Sequence, residues 1–205
     1  MSESAKNNIL NKIRMALATP TPLPFPQIDT HQTVVQPLQD DMVVTFAENF
    51  TQLQGKFAFC VNEQELIAHF NTLCQQHQWT KIYNTEPKLQ ALLPQPVWYN
   101  DIKDCEASVT SCEYLVARTG SMVISSVKNG RIPSVYAPVH ICIAYTSQLV
   151  YDIKDALQNM QLEYGQQLPS VISLATGPSR TADIEKTLVT GVHGPKEVYV
   201  FLVDQ

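Results

Sequence analysis

Val139-His-Ile-Cys-Ile-Ala-Tyr145 is a nearly continuous apolar run. A strand with one wet face would alternate apolar and polar side chains. This run reads as a strand covered on both faces, as in a sheet sandwiched between layers. Toward the N-terminus, Lys56-Phe-Ala-Phe-Cys-Val61 and Lys81-Ile-Tyr83 read as further strands. Between them lies a helix over 62–77 with Leu66, Phe70 and Leu73 on one face. A second amphipathic helix over 38–53 carries Met42, Phe46 and Phe50 at i, i+4 and i+8, and Gly55 ends it. A brief helix follows near 86–92. Helix, strand, helix, strand, helix is the alternation expected of an α/β layer fold.

Toward the C-terminus, Glu113–Ala117 and Ser121–Ser125 read as strands flanking Arg118-Thr-Gly120, where the glycine permits a bend or a positive φ. A helix over 149–160 carries Ile153, Leu157 and Met160, and Val171–Ala175 and Val198–Val203 complete the strands. At the other end, residues 4–18 predict a helix with Ser4 as its N-cap and Ile9, Ile13 and Leu17 as an apolar stripe. That stripe must cover this domain or another subunit, which leaves a homo-oligomer open. Pro20, Pro22, Pro24, Pro26 and Pro37 make the following segment an extended strap. The expected organisation is an arm over 1–37 and one α/β domain over 38–205.

A single core suffices for 205 residues, since a domain of that size buries about 70% of its unfolded surface. The net charge of -5 argues against a long phosphate-backbone groove, so no nucleic-acid partner is expected. A small anion needs only one or two local cations. No 18-residue apolar run occurs, and the first residues are polar, so neither a membrane span nor a signal peptide is expected and the protein should reside in the cytoplasm. Cys60, Cys74, Cys105, Cys112 and Cys142 are odd in number and widely spaced, with no C-x-x-C pair. They read as reduced thiols rather than ligands of a metal or cluster.

The chemistry concentrates in Thr176-Gly-Pro-Ser-Arg-Thr-Ala-Asp-Ile-Glu185 and Gly191-Val-His-Gly-Pro195. The first stretch begins where a strand ends and is expected to enter a short helix over Thr181–Val189. A glycine turn at a helix start exposes unpaired N–H groups, and the helix dipole favours an anion there. Gly177 supplies the turn, Ser179 and Thr181 supply hydroxyls that read equally as helix caps, and Arg180 supplies a planar fork for a carboxylate or phosphate. Asp183 and Glu185 read as partners of Arg180, as helix-cap charges, as ligands of a cation or as acid–base groups. His193, between two glycines, is an accessible acid or base near neutral pH. His140, inside the apolar run, reads as a core residue. Thr119, Gly120 and Ser121 read either as a polar turn or as a second side of the pocket, and Arg131 as a loop residue or a second anion contact.

The 177–185 block with 191–195, together with Ala117-Arg-Thr-Gly-Ser121 and Pro138-Val-His-Ile141, resembles the LutC/YkgG (LUD-domain) lactate-utilisation family over roughly residues 40–205. The resemblance implies a three-layer Rossmann-like sandwich of the NagB/RpiA/CoA-transferase type. It also implies a role in oxidising L-lactate to pyruvate beside two partner proteins that carry the iron–sulfur clusters, with none bound by this chain. The shared fold leaves open a stand-alone enzyme on a small carboxylate or sugar phosphate, or a ligand-sensing scaffold. One departure stands out: the family usually has an acidic residue where this chain has Arg118, so a catalytic carboxylate at that position is missing here.

Overall fold

A computed structural model of the chain describes residues 3–18, 37–38, 40–93, 98–130, 132–184 and 187–205. Two units are resolved, Met1–Pro37 and Leu38–Gln205. The first contains helix α1 (Glu3–Leu17), in which Ile9, Ile13 and Leu17 are exposed and Ser4 lies within the helix rather than at its cap. Residues 19–36 of the proline strap and Arg131 lie outside the described residues.

In chain order the second unit comprises α2 (Met42–Gln52), β1 (Lys56–Cys60), α3 (Glu63–His77), β2 (Ile82–Tyr83), α4 (Pro87–Leu92), β3 (Ala107–Ser111), β4 (Tyr114–Val116), β5 (Ser121–Ser125), α5 (Ser126–Asn129), α6 (Pro133–Tyr136), β6 (Val139–Tyr145), β7 (Leu149–Val150), α7 (Ile153–Tyr164), β8 (Ile172–Ala175), β9 (Arg180–Ile184), β10 (Thr187–Thr190) and β11 (Glu197–Val203). Five strands form an all-parallel sheet in the order β1-β11-β6-β3-β2. A mixed sheet has the order β7-β4-β5-β8, and β9 and β10 form an antiparallel pair.

The two-residue side-chain period of a strand explains the layering. On one face of the parallel sheet, Val139, Ile141 and Ile143 of β6 join Tyr199, Phe201 and Val203 of β11, and Leu66, Phe70 and Leu73 of α3 with Leu89 of α4 cover them. On the opposite face, Cys142, Ala144, Val198, Val200 and Leu202 meet Phe46 and Phe50 of α2 and the inner side of the mixed sheet, Leu115, Met122 and Ile124. The outer side of the mixed sheet, Val116 and Val123, is sealed by Ala156 and Met160 of α7. The result is the expected α/β sandwich around a doubly covered β6.

Helix starts follow local chemistry. The Asp41 carboxylate accepts from Val43 N at 2.8 Å, Asn62 Oδ1 accepts from Glu65 N at 2.9 Å, and Asp152 Oδ1 accepts from Lys154 N at 3.0 Å. Each satisfies an amide that the helix itself leaves unpaired. The Asp152 cap corrects the helix expected from 149: Leu149 and Val150 pair with β4 as a strand, and α7 starts only at Ile153.

Two further differences matter more. Ala107-Ser-Val-Thr-Ser111, unassigned by pattern, is an interior strand of the parallel sheet, between β6 and β2. Its polar side chains are paired inside: Ser108 Oγ donates to Pro133 O at 2.6 Å, and Thr110 Oγ1 lies 2.8 Å from His140 Nε2. The helix expected over Thr181–Val189 is instead the β9–β10 hairpin, with Arg180 opposite Thr190 and Thr181 opposite Val189. Thr181, Ile184, Thr187, Val189 and Thr190 are all β-branched and suit an extended pleat better than a helix.

Candidate functional site

The turn residues singled out in the sequence do come together, but around the end of α2. Gly120 has φ +59°, and a Cβ there would stand 2.5 Å from Phe50 N, so the 117–120 turn can pack on α2 only as glycine. Asn49 Nδ2 fastens this contact by donating to Ala117 O at 3.0 Å and Arg118 O at 3.2 Å. A hydroxyl chain runs from Thr119 Oγ1 to Ser121 Oγ (2.8 Å) and on to Thr176 Oγ1 (2.9 Å). Gly177 (φ +102°) passes so close to Leu53 that a Cβ would sit 2.8 Å from its carbonyl oxygen. Arg118 is held by Asp152, its Nε donating to Oδ2 at 2.6 Å, which ties the turn to the cap of α7.

Arg180 is exposed, and its Nη2 donates to Leu53 O. Ser179 N donates to Pro195 O at 2.9 Å, and Gly191 N donates to Ser179 O at 3.0 Å. These bonds bring the Gly191–Pro195 turn against Ser179, with exposed His193 beside the hairpin base. His193 and Gly194 help line a depression of about 410 Å³ with Ile132, Val135 and Tyr136. No helix start stands here, so the dipole contribution expected for an anion at Thr181 is missing. Asp183 lies on β9, and Glu185 lies outside the described residues.

This region also lies at the opposite end of the sheet from the one expected. Pro195 and Lys196 lead into the start of β11, and Tyr136 to Pro138 into the start of β6, so the depression is at the amino edge of the parallel strands. Ligands of open α/β sheets favour the carboxyl edge, where neighbouring connections depart to opposite faces. That divergence occurs between β2 and β3. The exit of β2 leads to α4 on one face, whereas the exit of β3 leads to β4 on the other.

A cleft of about 900 Å³ opens at that point, its walls including Glu63, Glu86, Leu92, Ser111, Lys128 and Tyr145. Glu86 bridges the two diverging connections: Oε1 accepts from Ser111 N at 2.7 Å, and Oε2 accepts from Ser111 Oγ at 2.5 Å. Burial holds its carboxyl above the usual carboxylate range despite those two bonds. Lys128 Nζ lies 2.7 Å from Glu113 Oε2 and donates to Cys112 O at 3.2 Å. Burial opposes the Lys128 charge, yet the Glu113 carboxylate raises its pKa overall. Tyr145 OH donates to Glu63 Oε1 at 3.0 Å, and burial with this bond pushes the phenol up to about 12. The sequence missed this site because Ser111 belongs to the unassigned strand and Glu86 read only as the start of a brief helix near 86–92. An acidic residue just after a short strand was the available signal.

All five cysteines are free, and burial pushes the Cys60 and Cys74 thiols up to about 11, away from thiolate chemistry. Among the described residues no group of three or more His, Cys, Asp or Glu side chains is placed to hold a metal ion. Among them no helix is long and apolar enough to cross a membrane.

The sequence profile of the LUD domain matches residues 43–203. The chain belongs to the LUD domain family. Over 124 residues it is 36% identical to lactate utilization protein C of Bacillus subtilis, covering 54% of this chain and 52% of that protein. It is 35% identical over 100 residues to an uncharacterized protein of Neisseria meningitidis, covering 48% and 42%. Lactate utilization protein C 1 of Bacillus mycoides aligns more broadly, 26% identical over 179 residues and covering 85% and 75%. This LUD chain spans about half the length of most of these relatives. Its fold is shared by a DUF162 family protein of Deinococcus radiodurans, with a TM-score of 0.59 at 16% identity, covering 79% of this chain and 96% of that one.

Proposed function

We propose that this LUD protein serves lactate utilization, as the component that works beside iron–sulfur partner proteins in oxidising L-lactate to pyruvate and carries no cluster itself. The observation that carries this reading is the family match across residues 43–203, joined to relatives whose names state a lactate utilization role. In this account the partners' clusters take the electrons, and this chain supplies binding and orientation. A small carboxylate is held at the 177–181 stretch. Exposed Arg180 meets it with its guanidinium, and exposed His193, which lines the depression at the hairpin base, is the proton-exchanging group of this reading. With the hairpin in place of a helix, the guanidinium and nearby hydroxyls carry the whole attraction.

Deleting the gene from a lactate-grown host tests the role: growth on L-lactate should stop and growth on pyruvate continue. Undiminished growth on lactate overturns it. Titration of the purified chain with L-lactate tests the contact, and Arg180→Ala should abolish the response.

A further inference from the structure

The carboxyl-edge cleft is chemically unlike the Arg180 surface. It is roomy, aliphatic along Pro87 and Leu92, and Glu86, Ser111 and Lys128 are among the polar residues in its wall. Binding sites of 300–1,000 Å³ with apolar walls and a few placed polar groups are the usual form of small-molecule sites. Glu86 is fixed from behind by both Ser111 donors. A carboxylate has about four acceptor positions, so two remain for a ligand hydroxyl. Lys128 donates to the Cys112 carbonyl and pairs its charge with Glu113. Its remaining ammonium donor capacity suits an anionic or carbonyl oxygen. A fixed acceptor, a fixed donor and an aliphatic wall describe a molecule with a hydroxyl, a carboxylate and a hydrocarbon body.

We propose that the cleft between the exits of β2 and β3 binds a hydroxy acid larger than lactate, with its hydroxyl on Glu86, its carboxylate on Lys128 and its aliphatic body along Pro87 and Leu92. The geometry rests on the Glu86–Ser111 bridge at the point where the sheet's connections diverge. It does not depend on the Arg180 contact or on a lactate role.

The test is an amide NMR titration of the full chain with three probes: 2-hydroxy-4-methylpentanoate, 4-methylpentanoate, which lacks the hydroxyl, and L-lactate, which lacks the body. The first should shift the amides of Glu86 and Ser111 and bind about tenfold more tightly than either of the others, because a site built around a hydroxyl penalises its loss. Glu86→Gln should bring the first two probes to equal affinity. Leu92→Trp should block the first probe at the cleft whether or not the Gln variant stays folded. Arg180→Ala should leave the binding unchanged, which separates this result from the lactate-role test. Absence of saturable binding, shifts confined to the 177–195 region, or hydroxyl selectivity that survives in a folded Glu86→Gln protein would overturn the proposal.

Discussion

His140 Nε2 lies 2.8 Å from Thr110 Oγ1 inside the parallel sheet, with the ring 1% exposed. Burial lowers the imidazole pKa to about 4 from an unfolded value of 6.5. Between those values the folded chain binds fewer protons than the unfolded chain. The stability this ring contributes is therefore fully present above pH 6.5 and is lost as pH falls toward 4, about 3 kcal/mol in all. Urea unfolding at pH 7.5 and 4.5 should show the loss, and a folded His140→Gln variant should show a smaller one. Equal pH dependence in the two proteins would refute this assignment.

Gly120 should tolerate no side chain. Alanine would combine the left-handed backbone at φ +59° with a 2.5 Å approach to Phe50 N. Both penalties fall on α2, whose Phe46 and Phe50 fill the inner core. Gly120→Ala is expected to cost about 3 kcal/mol or more, read as a lower urea midpoint.

Glu113 is 3% exposed and accepts from Tyr164 OH at 3.0 Å and from Ser125 Oγ, with Lys128 at 2.7 Å. Lys128→Met strands a buried carboxylate and should cost about 3–5 kcal/mol. Adding Glu113→Gln should restore part of that loss. A double variant no more stable than Lys128→Met would show that the pair is uncoupled.

Arg180→Ala removes an exposed side chain that, among the described residues, makes one bond to a backbone carbonyl. Its unfolding free energy should change by only about 0.5 kcal/mol. Any loss of lactate response in this variant then reports binding and not folding.

Periodicity made much of the fold legible. The apolar run at 139–145, the stripes of α2 and α3, and the glycine turn before Ser121 all appear where the pattern put them. Strand β3 escaped because Ser108 and Thr110 look like loop residues until Pro133 and His140 satisfy them, and those partners are distant in sequence. The hairpin escaped because a strand-to-helix reading of Thr176–Val189 ignored its β-branched residues. That error also misplaced the site. β8 belongs to the mixed sheet, so its end is not the carboxyl edge of the parallel one. The grouping of Thr119, Ser121 and the 176–180 turn was readable, since Ser121 and Thr176 do meet, but their close packing on α2 was not.

The lactate reading meets its most direct test in reconstitution. The purified chain, two iron–sulfur partner proteins and L-lactate are combined with an electron acceptor, and pyruvate is followed over time. The account predicts pyruvate only when this chain is present, with Arg180→Ala strongly impaired. Pyruvate formed at the same rate without the chain would contradict it.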